Sequence, residues 1–151
     1  MSLAQRQQAA LDLVNQMHGQ WQVSLIMGLI EHESSFNPAA FANDKNGGSY
    51  GLMQLNLQTA EDRGFTGTAV ELYYPPTNVM FGIKQLDWIK EYLDARNCYS
   101  DENCIAAYNE GAHAVVLGRQ DPLYVQAVLS AKAKWDAILN PKEQTNDSTS
   151  A

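Results

Sequence analysis

The chain has 151 residues, of which 45% are apolar, and a formal net charge of −7 from 10 basic and 17 acidic residues. This length and apolar share suit one globular domain with a buried core and exclude a wholly disordered chain. The acidic balance argues against broad binding to nucleic acid or an anionic membrane, because both need clustered positive charge, and it fits a neutral or sugar-like partner. No apolar run approaches the roughly 20 residues that cross a bilayer, so we expect no membrane span. We also expect the protein to be a monomer.

The N-terminal part is predicted to contain two helices. Apolar residues at helical spacing predict the first helix over 4–17 and the second over 23–34, ended by Asn37-Pro38. The segment 36–50 is rich in Asn, Gly and Ser and is predicted to be a loop.

The middle of the chain contains signals for shorter elements and then a long helix. A short helix is predicted over 57–63, and Thr68-Ala69-Val70-Glu71 has the form of a capping box that begins another helical turn. After Pro75-Pro76, a cap at Thr77 or Asn78 predicts a long helix that ends near Arg96.

Two further helical segments complete the predicted fold. The first begins at Ser100 or Asp101 and is interrupted at Gly111; the second begins at Asp121-Pro122 and ends near Asn140-Pro141. We find no strand alternation and no internal repeat. The sequence therefore predicts one mainly α domain over 1–141, followed by a polar, disordered tail over 142–151.

Two features concern the compartment of the protein. The first ten residues show no basic region followed by an apolar stretch, so we expect no signal peptide; the chain is then either made without one or is a trimmed exported domain. Cys98 and Cys104 either close a small disulfide loop in an oxidising compartment or are two reduced thiols. No nearby His or further Cys completes a zinc site.

Glu33 is the first candidate for a catalytic residue. Ile26, Leu29 and Ile30 precede it by seven, four and three residues, so Glu33 shares the apolar face of its helix. Burial raises the pKa of a carboxyl group, which a general acid near neutral pH requires. The alternative is a buried glutamate that accepts a backbone or tyrosine hydrogen bond and performs no chemistry.

The triplet Glu31-His32-Glu33 does not have the spacing of a metal site. Helical metal ligands are three or four residues apart, whereas the two glutamates point about 200° apart around the helix. We therefore expect no metal and no cofactor.

Two short motifs are candidates for binding a polar ligand. Gly51-Leu52-Met53-Gln54 combines a glycine that permits close backbone approach with an amide that both donates and accepts hydrogen bonds. Tyr108-Asn109-Glu110-Gly111 places a phenol and an amide beside a helix break. Each motif alone is equally typical of an ordinary turn or helix cap.

The order of the motifs carries more information than any one of them. E-S-S-F-N-P-x-A, G-L-M-Q-x-N-x-x-T-A, N-V-M-F-G-I-K-Q-L, A-A-Y-N-E-G and Y-V-Q-A-V-L follow one another over about residues 11–129. Together they resemble the soluble lytic transglycosylase (SLT) catalytic domain of the lysozyme-like superfamily.

The resemblance implies a mainly α, lysozyme-like fold with a glycan-binding cleft. It also implies cleavage of the β-1,4 bond between N-acetylmuramic acid and N-acetylglucosamine in peptidoglycan, which leaves 1,6-anhydromuramyl ends. A single glutamate, matched here by Glu33, would act as general acid and then as base. Because the muramyl 6-hydroxyl is the nucleophile, no second carboxylate is required.

The resemblance further implies the residues around Glu33. Gln54 would hold the sugar, Tyr108 would hydrogen-bond and orient Glu33, and Asn109 would support it. Met53 is a further candidate contact, and Ser34 is a candidate that we expect to stabilise the helix end instead.

Three features depart from the pattern of the family. Ala42 stands where many relatives have a sugar-contacting serine, and the segment 43–50 is longer than in many members. Glu110 follows the A-Y-N motif where a small residue is usual; we expect it to face solvent rather than to raise the pKa of Glu33.

Two other functions compete with this hypothesis. A lysozyme-type muramidase on the same fold would use water, positioned by Asp44, Glu61 or Asp62. A wall-binding module of a phage particle or secretion apparatus would have no turnover, although the intact set of Glu33, Gln54 and Tyr108 argues against it. The expected place of action is the periplasm or cell wall, for a phage enzyme or for a trimmed exported domain.

Overall fold

The computed structural model describes residues 1–44 and 46–142, and helices make up most of this part of the chain. The α-helices are α1 (Leu3–Met17), α2 (Val23–Ser34), α3 (Leu57–Asp62), α4 (Pro75–Asp94), α5 (Asp101–Glu110), α6 (Ala112–Val116) and α7 (Pro122–Leu139). A short 3-10 helix, Ala69–Tyr73, begins with the capping box predicted at Thr68 and Glu71. The predicted mainly α fold is confirmed. The tail predicted over 142–151 lies outside the described residues from 143 onward.

A small sheet lies between α2 and α3, where the sequence predicted a loop and no strands. Strands β1 (Phe41–Ala42), β2 (Ser49–Tyr50) and β3 (Leu55–Asn56) are antiparallel, in that order. The prediction was wrong because each strand has only two residues, and the alternation of side chains that marks a strand needs four or more.

The side chain of Asp44 holds the loop between β1 and β2. Its carboxylate accepts hydrogen bonds from the backbone N–H groups of Asn46 and Gly48, at 2.9 and 3.0 Å, and from the Ser49 hydroxyl at 2.6 Å. These bonds keep the pKa of Asp44 below its ordinary value, with the Ser49 bond the largest cause. Asp44 is therefore an anion that supports the loop.

Helix α2 lies at the centre of the molecule and packs on α7. Seven consecutive residues of α2, from Ser24 to Ile30, are buried, so the helix has no wholly polar face along this length. Gly28 allows α7 to approach, because a Cβ at this position would lie 2.9 Å from the backbone nitrogen of Lys132 and 3.0 Å from the carbonyl oxygen of Val128. This contact fixes the end of α2, where Glu33 lies, relative to α7.

Helix α4 begins earlier than the sequence predicted. Its N-cap is Tyr74, and prolines occupy the first two helical positions, where the missing N–H groups cost no hydrogen bond. Asn78 is inside the helix and completely buried, so the prediction that Thr77 or Asn78 caps the helix was wrong. The side chain of Asn78 instead forms hydrogen bonds with the backbone of Tyr50, Met53 and Leu72.

Two observations concern the membrane and the cysteines. Among the helices of the described residues, none combines the length and hydropathy needed to cross a bilayer. Cys98 and Cys104 are both free thiols in the structure, and burial raises the pKa of Cys104 to about 12, which makes this thiol unreactive.

Candidate active site

Glu33 lies at the C-terminal end of α2 and lines an open cleft of about 420 Å³. The cleft is also lined by residues of β1, β2 and the loop between them, by Gln54, and by Tyr108 and Asn109 of α5. The carboxyl group is mostly removed from water, and this burial raises its pKa from 4.5 to about 6. A carboxyl group with this pKa exchanges its proton close to neutral pH, as general acid–base catalysis requires.

Tyr124 of α7 holds the Glu33 carboxyl group. Its hydroxyl donates a hydrogen bond of 2.5 Å to Oε1 of Glu33, and this bond partly opposes the effect of burial on the Glu33 pKa. Burial and the neighbouring negative charge raise the pKa of Tyr124 itself, so the phenol keeps its proton and remains a donor. The close packing of α2 on α7 therefore also determines the orientation of the candidate acid.

Tyr108 does not make the hydrogen bond predicted for it. Its hydroxyl donates to the backbone carbonyl oxygen of Met53 at 2.7 Å, while the bond to Glu33 comes from Tyr124. The prediction that Tyr108 orients Glu33 through a hydrogen bond is thus wrong. Tyr108 nevertheless lies near Glu33, whose charge adds to burial in raising the pKa of the phenol. Tyr108 is a wall of the cleft and a support for the segment that contains Met53.

Gln54 has a strained backbone and a side chain that is partly committed to the protein. Its φ of 48° lies in the left-handed region, which non-glycine residues seldom adopt outside turns and functional sites. The amide nitrogen donates to the carbonyl oxygens of Ala40 and Gly51, at 3.1 and 2.9 Å. These two bonds fix the orientation of the amide, and Gln54 lines the cleft in that position.

The remaining predicted contacts divide into two groups. Asn109 is exposed and lines the cleft. The Met53 side chain is completely buried in the core, so Met53 contributes to the site through its backbone rather than as a sugar contact. Ser34 is buried, and its hydroxyl donates to the carbonyl oxygen of Ile30 at 3.1 Å, which agrees with its expected role at the end of the helix.

The acidic residues near the site are in different environments. Asp44 lines the same cleft as Glu33, whereas Glu61 and Asp62 are exposed on α3 and do not line it. Glu110 is exposed at the end of α5, as the sequence predicted. Ala42, at the position where many relatives have serine, also lines the cleft but offers only a methyl group.

The triplet Glu31-His32-Glu33 diverges in the structure. Glu31 binds the side chains of Lys134 and Trp135, whereas Glu33 binds Tyr124, about three turns earlier on the same helix α7. The His32 ring lies edge-on to the Tyr124 ring, with centroids 4.8 Å apart. The two glutamates therefore have different partners, as their helical spacing predicted.

Tyr124 lies in the last predicted helix and in the motif Y-V-Q-A-V-L, but no role was predicted for its hydroxyl group. One signal for its role was present: a tyrosine on the buried face of a helix needs a partner for its hydroxyl group. Glu33 could not be identified as that partner from the sequence, because the two residues are 91 positions apart.

Comparisons with known proteins place this chain in a family. The family model "Transglycosylase SLT domain" matches residues 14–119. The membrane-bound lytic murein transglycosylase C of Haemophilus influenzae is 37% identical in an alignment of 106 residues, and the match covers 62% of this chain and 28% of that protein. The protein of the same name from Histophilus somni is 34% identical in an alignment of 128 residues, and the match covers 76% of this chain and 34% of that protein. The chain thus spans about a third or less of the length of these relatives.

A solved structure has the same fold. It is the X-ray structure of an inactive glutamate-to-glutamine mutant of the lytic transglycosylase Slt from Pseudomonas aeruginosa, with a TM-score of 0.70 and 22% identity. The match covers 88% of this chain and 24% of that one. The predicted lysozyme-like fold is confirmed, and the match of the family model over most of the chain shows that this protein belongs to the transglycosylase SLT domain family.

Proposed function

We propose that this chain is a peptidoglycan lytic transglycosylase that cleaves the β-1,4 bond between N-acetylmuramic acid and N-acetylglucosamine. One observation carries the proposal: a glutamate with a pKa raised to about 6 by burial lies in an open cleft and is held there by the hydroxyl of Tyr124. The names of the relatives, which are lytic murein transglycosylases, support the same reaction and substrate for this domain.

In the first step, protonated Glu33 gives its proton to the glycosidic oxygen. The bond between this oxygen and C1 of the muramyl residue breaks, the electron pair leaves with the N-acetylglucosamine hydroxyl, and positive charge develops at C1. Near pH 6 about half of the Glu33 side chains carry the required proton. The carboxylate left by this step is stabilised by the Tyr124 hydrogen bond.

In the second step, the Glu33 carboxylate acts as a base. It removes the proton of the muramyl 6-hydroxyl, whose oxygen bonds to C1 and closes the 1,6-anhydro ring. Glu33 is then protonated again, and no water is consumed. Because the nucleophile belongs to the substrate, its proximity replaces that of an enzyme carboxylate.

Gln54, Asn109 and Tyr108 are proposed to hold the glycan. They line the cleft beside Glu33, and a surface of amides and phenol suits a sugar, which has hydroxyl edges and apolar ring faces. The two hydrogen bonds that fix the Gln54 amide leave its oxygen available to accept from a sugar hydroxyl or N–H group.

A lysozyme-type muramidase is the second candidate function, and Asp44 is the observation that favours it. This anionic carboxylate lines the same cleft as Glu33, and an inverting hydrolase uses a second carboxylate to activate water. All three hydrogen bonds that Asp44 accepts come from its own loop, however, which favours a structural role.

Mass spectrometry of digested glycan strands distinguishes the two reactions. The transglycosylase is expected to leave anhydromuramyl ends, which lack one water relative to the reducing ends left by a muramidase. Reducing ends alone would overturn the proposal in favour of hydrolysis. No release of fragments at all would favour a wall-binding module without turnover.

Replacing Tyr124 by Phe is expected to change the pH dependence of cleavage. The Tyr124 hydrogen bond lowers the pKa of Glu33, so its loss raises that pKa further above about 6. The high-pH limb of the activity profile, where Glu33 loses its proton, should move to higher pH. Since the carboxyl group also loses its orientation, we expect kcat to fall about ten-fold, equivalent to about 1.4 kcal/mol.

Tyr108→Phe is the matched control for that experiment. It removes a phenol that lies near Glu33 but donates to Met53, so the high-pH limb should move less than in Tyr124→Phe. Kinetics measured from pH 4 to 8 compare the two variants. An equal or larger shift of the high-pH limb in Tyr108→Phe would mean that Tyr124 is not the tyrosine that orients Glu33.

The proposed place of action is the periplasm or cell wall, where peptidoglycan strands are the partner. The domain would serve either as part of a longer exported enzyme or as a phage-encoded enzyme. Fractionation of cells that express the complete gene, followed by detection with an antibody, identifies the compartment.

A further inference from the structure

The chain leaves helix α2 just after Glu33 through a backbone conformation that is unusual for its residues. Ser35 and Phe36 both lie in the left-handed region, with φ of 49° and 61°. A bulky residue such as phenylalanine seldom adopts this conformation, and strained residues of this kind persist only where the surrounding structure holds them. Because Glu33 is in the last turn of α2, the direction of its side chain depends on what holds the Ser35–Phe36 turn.

Trp135 of α7 contacts Phe36 in the core. The two rings meet edge to face, with centroids 5.8 Å apart and an angle of 66° between their planes. Both side chains are almost completely buried, so relaxation of the backbone at Phe36 would break this packing and expose apolar surface. The left-handed turn is therefore maintained by a tertiary contact, since neither of its residues is glycine.

Glu31 orients Trp135 from helix α2. The indole Nε1 atom donates to Oε2 of Glu31 at 2.8 Å, and the ammonium group of Lys134 binds the other oxygen, Oε1. The backbone carbonyl oxygen of Glu31 also accepts the hydrogen bond from the Ser35 N–H, at 3.0 Å, where the helix ends. A chain of contacts thus leads from Glu31 through Trp135 to Phe36 and returns to the residues that follow Glu33.

Helix α7 consequently contacts the end of α2 at two points. Tyr124 binds the Glu33 carboxyl group near the start of α7, and Trp135 binds Glu31 about three turns later. Glu31 and Glu33 point in widely different directions around α2, so the two contacts lie on different sides of the helix. Together they oppose rotation of the last turn of α2 about the helix axis, which one contact alone would permit.

From these contacts we infer that Trp135, bound by Glu31, is a positioning residue for Glu33. It fixes the Ser35–Phe36 turn and thereby keeps the Glu33 carboxyl group within hydrogen-bonding reach of Tyr124. Trp135 does not line the cleft, so it acts only through the end of α2. The inference rests on the proposed function for the catalytic role of Glu33.

Trp135→Phe tests this role without changing the charge of the protein. It keeps an aromatic ring near Phe36 but removes the N–H group that binds Glu31. We expect kcat to fall about five-fold, the factor that corresponds to one typical hydrogen bond, with KM nearly unchanged. Because the bond from Tyr124 lowers the pKa of Glu33, weakening it raises that pKa, and the high-pH limb of the activity profile should move to higher pH.

The same substitution made in Tyr124→Phe separates positioning from a general loss of stability. In this background the hydrogen bond through which Trp135 acts is absent. Trp135→Phe should then lower kcat by less than about two-fold and should not move the high-pH limb further. A purely structural contribution of Trp135 would lower kcat by the same factor in both backgrounds, and that result would overturn the inference.

Trp21→Phe is the matched control. Trp21 is also buried, and its Nε1 atom donates to Oδ1 of Asp87 at 2.8 Å, so the substitution removes the same kind of hydrogen bond. This bond joins the segment before α2 to α4 and lies outside the contacts between the end of α2 and α7. Trp21→Phe should lose stability in urea but leave kcat and the high-pH limb nearly unchanged. A shift of the limb as large as that in Trp135→Phe would contradict the assigned role.

NMR titration of the Glu33 carboxyl carbon keeps the inference separate from the proposed function. The titration compares the unmodified chain, Trp135→Phe and Tyr124→Phe in the absence of substrate. A higher pKa of Glu33 in Trp135→Phe supports the positioning role even if the unmodified chain shows no turnover. An unchanged pKa removes this role for Trp135 even if the unmodified chain cleaves peptidoglycan.

Discussion

Glu33→Gln is expected to reduce the cleavage of peptidoglycan by at least about 10³-fold. Glutamine has nearly the shape of glutamate and can still contact Tyr124, but it can neither donate a proton to the glycosidic oxygen nor accept one from the 6-hydroxyl. General acid and general base catalysis each contribute on the order of 10²–10⁴-fold, and in this site one residue supplies both. Release of soluble anhydromuropeptides from purified cell walls measures the loss.

The stability of the same variant shows whether the loss is chemical. The folded state raises the pKa of Glu33 from 4.5 to about 6, so it binds the proton more tightly than the unfolded state does. The free energy of unfolding therefore falls as pH rises through this interval, by about 2 kcal/mol in total above pH 6, and is unaffected by this group below pH 4.5. Glutamine does not ionise, so Glu33→Gln does not show this loss of stability.

We accordingly expect Glu33→Gln to be more stable than the unmodified chain by up to about 2 kcal/mol at pH 7 and equally stable near pH 4. Urea denaturation at both pH values measures the difference. An inactive variant that is also destabilised at pH 7 would mean that the substitution damages the fold. Retained activity would remove Glu33 from the mechanism.

The candidate acid could be predicted from the sequence because its signal is local. The apolar residues three, four and seven positions before Glu33 place it on the buried face of one helix, and burial is the main cause of its raised pKa. The tyrosine that binds it could not be predicted in the same way. Tyr108 and Tyr124 both lie within recognisable motifs, and only the packing of α2 on α7 shows which hydroxyl reaches Glu33.

The part of the cleft formed by β1, β2 and their loop was the hardest to predict from the sequence. Its strands have two residues each, and the bonds that organise it come from the side chain of Asp44 rather than from a long ladder. Helical periodicity carries no information about such a segment. From the sequence, Asp44 was considered only as a carboxylate that could position a water molecule, because its bonds to Asn46, Gly48 and Ser49 depend on the conformation of the loop.

Asn78 lies in a pattern that is typical of a helix cap but has a different role in the structure. An asparagine after two prolines is typical of a helix cap, yet the prolines themselves begin α4 and Asn78 faces the core. Its Oδ1 accepts from the Met53 N–H at 2.8 Å, and its Nδ2 donates to the carbonyl oxygens of Tyr50 and Leu72 at 2.8 and 2.7 Å. Gly51 permits this contact, since a Cβ there would lie 2.6 Å from Nδ2.

Asn78→Ala is therefore expected to destabilise the fold by about 4 kcal/mol, a large part of the roughly 5–15 kcal/mol typical of a domain. The substitution removes three hydrogen bonds and leaves their backbone partners at Met53 and Leu72 buried without replacements. Activity should also fall at temperatures where the variant remains folded, because Asn78 positions the segment that contains Gln54. Urea denaturation and glycan cleavage below the melting temperature measure the two effects.

Thr77→Ala is the control that separates this role from helix capping. If Thr77 were the N-cap of α4, its loss would cost about 1 kcal/mol. Because α4 begins at Pro75, Thr77 lies within the first turn, and alanine there should change stability by less than about 0.5 kcal/mol. Equal losses of stability in the two variants would mean that Asn78 contributes no more than an ordinary helix residue. A cost confined to Asn78→Ala, together with lost cleavage, would make one buried amide of α4 responsible for the geometry of the cleft wall.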